Sequence, residues 1–214
     1  MYRKSIIVIF LLCLSLIACS TTQDERDVSE DTERAPTQNE QDASAYVERG
    51  VEYYDNGEFE RAISEFDQAI KLDPENADAY NYRGLVSMDM GDYEGARPDL
   101  EQALAIRMEV LGEKHPDTAG SLNNMGLLLQ AMGDYEGAWP YYEQALAIFQ
   151  EVLGEKHPDT ATILNNLGAL LKAMGDYEGA RPYYEQALAI FEETLPPGHP
   201  YIEGVRNNLA SLDE

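Results

Sequence analysis

From Tyr46 onward the apolar and small residues recur at helical spacing, in sets that restart at regular intervals. The first set is Tyr46, Gly50, Tyr53, Ala62, Phe66, Ala69 and Pro74. The second is Tyr80, Gly84, Ala96 and Ala103, with Ser87 and Leu100 where the first has Tyr53 and Phe66. The third is Leu122, Met125, Gly126, Leu129, Ala138, Tyr142 and Ala145, and the fourth is Leu164, Leu167, Gly168, Leu171, Ala180, Tyr184 and Ala187. A 3.6-residue period within each set predicts amphipathic helices. Small residues at fixed points let two helices of a set approach closely. β-Branched runs occur only near the N-terminus, so the helix-forming composition agrees.

The punctuation between the sets is itself repeated. GDYEGA stands at residues 91–96, 133–138 and 175–180, and a looser GEFERA at 57–62. The intervals are 34, 42 and 42 residues, a period that means stacked supersecondary units. The fold predicted is an all-α solenoid of four helical hairpins, at 43–76, 77–118, 119–160 and 161–202, closed by a capping helix at 203–214 that starts near Pro200.

Each set falls at the spacing of the tetratricopeptide repeat signature, which pairs two antiparallel helices. The longer units carry HPDTA, then LNNMG or LNNLG, then GDYEGA, PYYEQALAI and LGEKHP. A decayed copy, LPPGHPYIE, spans residues 195–203. This pattern, over residues 77–212, resembles the kinesin-light-chain type of tetratricopeptide repeat. The resemblance implies a right-handed superhelix with a concave peptide-binding face, and implies no motor.

The acidic pairs in GDYEGA read as turn chemistry. Gly91 stops one helix in a left-handed conformation, Asp92 caps the next, and Glu94 lies in its first turn, where the helix dipole favours an anion. Asp134/Glu136 and Asp176/Glu178 repeat this. A catalytic dyad would need one asymmetric pocket rather than a copy per repeat. His115, His157 and His199 each precede a proline and lie a repeat apart, too far to share a metal; with Pro116 and Pro158 near the first helical position they shape helix entry. Pro98, Pro140 and Pro182 fall inside second helices and predict kinks. No nucleotide-binding loop, GxSxG, HExxH or spaced Cys/His set occurs, so no enzyme, cofactor, metal or small-molecule substrate is expected.

The candidate binding residues are asparagines of the first helices: Asn81, Asn123, Asn124, Asn165, Asn166, Asn207 and Asn208. These positions line the groove in the tetratricopeptide family, and Gln130, Lys172 and Ser211 lie further along the same face. Asparagine offers donors and an acceptor to a peptide backbone whatever its side chains. Hydrogen bonding between repeats is an equally good use of them. The basic residues of carboxylate-clamp repeats are mostly absent, with Asp78 and Tyr82 near those positions, which argues against acidic chaperone tails as ligands.

Charge narrows the partner. Of 214 residues, 40 are acidic and 15 basic, for a formal charge of −25. Such a chain repels nucleic acid and anionic membrane surfaces and favours protein partners with basic segments. The first residues are of another kind. MYRK precedes Ile6–Ala18, thirteen uncharged residues, too short to span a bilayer, which reads as a signal peptide at 1–18. Leu16–Cys19 resembles the bacterial lipobox, which implies cleavage before Cys19 and its acylation. Cleavage would remove Cys13, Arg3 and Lys4, take the formal charge to −27 and leave no pair of cysteines for a disulfide. Several acyl chains anchor firmly, at about 0.8 kcal/mol per buried CH₂. Residues 20–42, acidic and without aromatics, are expected to be a disordered tether reaching roughly 25–30 Å. Ser20 after the cysteine resembles outer-membrane sorting signals. The function expected is protein–protein interaction by a lipoprotein anchored in the bacterial cell envelope. The alternatives are an assembly or pilot lipoprotein for a secretion, pilus or envelope complex and, more distantly, an enzyme accessory subunit.

Overall fold

The computed structural model describes residues 37–213, and the expectations for the signal peptide, Cys19 and residues 20–36 of the tether lie outside them. The described residues are all-α: α1 (Gln38–Asp55), α2 (Phe59–Leu72), α3 (Ala77–Asp89), α4 (Tyr93–Val110), α5 (Pro116–Ala131), α6 (Tyr135–Val152), α7 (Pro158–Ala173), α8 (Tyr177–Thr194) and α9 (Pro200–Ala210). Helices α1/α2, α3/α4, α5/α6 and α7/α8 form antiparallel hairpins, and each hairpin stacks on the next through its second helix. The odd-numbered helices α1, α3, α5 and α7 also touch one another in series, whereas the even-numbered ones do not form such a row. The stack therefore bends toward the odd helices, and they make its concave side.

Turn chemistry accounts for the repeated hexapeptide. Gly91, Gly133 and Gly175 hold φ of 80°, 82° and 85°, which an L side chain adopts only with strain. The carboxylates of Asp92, Asp134 and Asp176 accept the backbone N–H of Gly95, Gly137 and Gly179 at 3.0, 3.0 and 2.9 Å. The second glycine has its own reason: a Cβ on Gly95 would lie 2.2 Å from an Asp92 carboxylate oxygen. In the looser copy, Arg61 stands at that place and Glu58 makes no side-chain cap; the two form an ion pair instead.

The histidines prove to be caps themselves. Nδ1 of His115, His157 and His199 accepts the N–H of Asp117, Asp159 and Tyr201 at 3.1–3.3 Å. The prolines that follow take the first helical position, where a missing N–H costs nothing. Thr118 and Thr160 donate back to the carbonyls of Gly112 and Gly154, so HPDT is one folded unit. Pro200 likewise opens α9, so the capping helix starts at Pro200, near where it was expected.

One boundary moves. Helix α1 begins at Gln38, inside the stretch 20–42 expected to be disordered. Thr37 and Glu40 form a reciprocal capping box, which satisfies two orphan N–H groups, and Ala43 is buried against Ala69 and Ala79. Helices α4, α6 and α8 run on through Pro98, Pro140 and Pro182, because buried side chains on both sides of each proline hold the helix to its neighbours.

The core is a series of second-helix anchors seated over first-helix glycines. Phe66 faces Gly50, Leu100 faces Gly84, Tyr142 faces Gly126 and Tyr184 faces Gly168. All four anchors are buried. Burial pushes the Tyr184 hydroxyl up to about 12 and shifts that of Tyr142 in the same direction; Tyr142 donates to Gln130 at 2.9 Å.

Candidate functional site

Along the concave side the asparagines form a chain of hydrogen bonds from repeat to repeat. Asn124 donates to Asn81 at 2.8 Å, Asn166 to Asn123 at 2.8 Å and Asn208 to Asn165 at 3.0 Å. Asn123 also donates to Asn124. The second asparagine of each pair thus reaches the first of the preceding repeat. These bonds use only part of each amide, which carries two donor hydrogens and two acceptor lone pairs. Asn123, Asn124, Asn165, Asn166 and Asn208 are only half-buried, and Asn207 is exposed. The ladder braces the stack and still faces the groove.

The remaining candidates divide. Gln130 lies with Leu85, Met88, Tyr93, Leu127 and Tyr135 in a shallow pocket of about 540 Å³ toward the far ends of the odd helices. Lys172 donates to Ser211 and so ties α7 to the segment after α9. Asp78 is held by Arg107, whose guanidinium also donates to Ser121 and to the Asp117 carbonyl. Tyr82 stacks on Phe66.

Two openings lie along the ladder. One, of about 340 Å³, is lined by Asn81, Asn123 and Asn124, Gly120, Phe149, Thr162 and Ile163, with Arg107, Asp117 and Asp159 at its rim. The other, of about 270 Å³, is lined by Thr162, Asn165, Asn166, Phe191, Tyr201, Gly204, Val205 and Asn208. Sequence reasoning found the asparagines but missed Phe149, Phe191, Thr162 and the aspartates. The available signal was the 42-residue register, which aligns Phe149 with Phe191 and places Arg107 at the same point one repeat earlier. Such an arrangement can hold an extended chain: amides for its backbone, apolar edges for its side chains. No group of three or more His, Cys, Asp or Glu among the described residues is placed to hold a metal ion.

Family comparison agrees with this architecture. A tetratricopeptide repeat model matches residues 75–138 and 117–193, and a second TPR repeat model matches residues 50–91. The chain belongs to the tetratricopeptide repeat family. Solved structures share the fold at low identity. BtubC (BKLC) of P. vanneervenii is 24% identical, with a TM-score of 0.67 over 83% of this chain and 84% of that one. A Podosopora anserina protein of nearly identical TPR-like repeats, ascribed to the kinesin light chains, is 22% identical, with a TM-score of 0.68 over 83% and 87%. PilF of Pseudomonas aeruginosa is 24% identical, with a TM-score of 0.66 over 82% and 69%. No curated protein matches the chain.

Proposed function

We propose that this protein is a non-enzymatic scaffold, held to a bacterial envelope membrane by a lipid on Cys19, whose concave groove captures peptide segments of partner proteins. The observation that carries the reading is the pair of openings between successive odd helices, each with apolar edges and partly used amides. The acidic balance selects basic segments. None of the described helices is long and apolar enough to cross a membrane, so in this reading attachment falls to the N-terminal residues.

Thr162 lines both openings, whereas Glu143 is exposed on α6, one of the even-numbered helices away from the concave side. A photo-crosslinking residue at position 162 is expected to trap partner proteins in cells, and one at position 143 to trap few. Equal yields from both positions, or products from 143 alone, would move binding off the groove. The anchor is tested separately. A Cys19→Ser variant is expected to leave the membrane fraction or to accumulate as unprocessed precursor; normal maturation with unchanged membrane attachment would refute the lipid.

A further inference from the structure

The two openings are the same opening one repeat apart. Advancing 42 residues carries Gly120 to Thr162, Phe149 to Phe191 and Ile163 to Val205, and each residue lines its respective pocket. They differ at the rim. The first is bordered by Asp117 and Asp159, both exposed. Arg107 beside them is engaged by Asp78 and Ser121. In the second, Tyr201 takes the place of Asp159 and no charged residue lines the pocket. Tyr201 is exposed and packs its ring against Phe191, with centroids 5.5 Å apart.

Direct Asn166–Asn123 and Asn208–Asn165 bonds hold α5, α7 and α9 side by side. Packed helices lie about 8–10 Å apart, so the pockets are offset by about that distance. An extended strand puts residues i and i+3 on opposite faces. A polyproline II segment has three residues per turn and a rise of about 3.1 Å, so its residues i and i+3 share a face about 9 Å apart. Its backbone makes no internal hydrogen bonds, which suits a wall of half-satisfied amides.

Resting on the groove reading, we infer that the groove recognises a bipartite segment of a partner protein in polyproline II conformation. A lysine or arginine sits between Asp117 and Asp159. An aromatic or large aliphatic side chain, three residues away, sits against Phe191 and Tyr201. Charge complementarity fixes the first position, and the uncharged aromatic rim fixes the second.

The glycines make the test clean. A Cβ on Gly120 or Gly204 would meet nothing within 4 Å, so Gly120→Met and Gly204→Met fill one pocket each without displacing the backbone. The probes are acetylated, amidated Ser-Lys-Pro-Pro-Phe-Ser and Ser-Phe-Pro-Pro-Lys-Ser, versions with one or three prolines, and versions with Glu for Lys. Binding to the full chain in detergent is followed by fluorescence anisotropy. One two-proline lysine peptide is expected to bind at least tenfold tighter than its one-proline, three-proline and glutamate versions, and to weaken with salt. Each filling variant should abolish that preference, and Asp117→Asn with Asp159→Asn should erase the discrimination between Lys and Glu. Binding that both filling variants abolish but that ignores spacing and charge sign overturns the bipartite inference and leaves the groove standing. Binding undiminished in both filling variants removes the groove reading itself. Failure of every peptide to bind overturns the bipartite inference.

Discussion

A Tyr142→Ala variant is expected to lose about 3–5 kcal/mol of folding stability, the range for deleting a large buried aromatic. The ring is completely buried. It fills the space between α5 and α6 beside Ala119, Leu122, Leu129 and Ala138, and its hydroxyl donates to Gln130. Both helices of the hairpin pack on it, so the cavity cannot close without shifting one of them away from its neighbours in the next repeat. The partner substitution gives the argument its sign. A Cβ on Gly126 would lie 2.7–2.9 Å from three ring atoms of Tyr142. Overpacking of this kind costs about 1–3 kcal/mol, against a gain of about 0.8–1.0 kcal/mol from replacing helical glycine with alanine. Gly126→Ala should therefore destabilise the parent. In the Tyr142→Ala background the ring is gone, the clash vanishes and only the propensity gain remains, so the same substitution should stabilise. Urea midpoints of the four proteins in this cycle decide the matter. If Gly126→Ala has the same sign in both backgrounds, the close approach of helix to ring is not what the glycine serves.

Much of this architecture was legible because its devices are local and repeated. Gly91, Asp92 and Glu94 act within one turn of each other, and three copies in register leave little else for them to do. The close approach of paired helices was legible in the same way, from small residues at fixed points, although which anchor seats over which glycine was not. The start of α1 was hidden by composition: an acidic stretch without aromatics reads as tether, yet Thr37 and Glu40 suffice to cap a helix that Ala43 then anchors. The histidines were placed correctly at helix entry, but the capping role of Nδ1 needs the ring orientation. The asparagine ladder was legible only as a choice between two roles. Its bonds join residues 43 apart, one repeat plus one, and that extra residue comes from how neighbouring helices are rotated and shifted in the stack. The openings at Phe149 and Phe191 were invisible for a related reason. They exist between repeats, where no single amphipathic pattern reports the gap left by Gly120 or Gly204.

Removing residues 200–214 is expected to cost several kcal/mol or to drive the chain into oligomers. Ile202 and Val205 of α9 are buried against Ala161, Leu164, Ala180, Tyr184, Ala187 and Phe191. Burying an aliphatic side chain of this size is worth about 1.5–3 kcal/mol, and the Asn208–Asn165 bond adds about 0.5–1.5 kcal/mol. In a stacked array that loss falls on the terminal interface, from which unfolding propagates. The outward face of α9 explains why it can occupy the end of the stack. Where α7 presents Leu164, Gly168 and Leu171 to α8, the residues 42 further on are Arg206, Ala210 and Asp213. Arg206 is paired with Glu192 and Glu203, and Asp213 is held by Arg181. This polar face needs no further helix to cover it. The truncated chain exposes Leu164, Tyr184 and Phe191 instead, and light scattering should show association at concentrations where the parent is monodisperse. A point variant separates exposure from mere shortening. Val205→Asp keeps the length but buries an unpaired carboxylate, a substitution at the severe end of the range for single changes, and should reproduce both the lowered midpoint and the association. If the truncation leaves the midpoint and the molecular mass unchanged, α9 contributes nothing to the stack and its seat against α7 and α8 is not a structural cap.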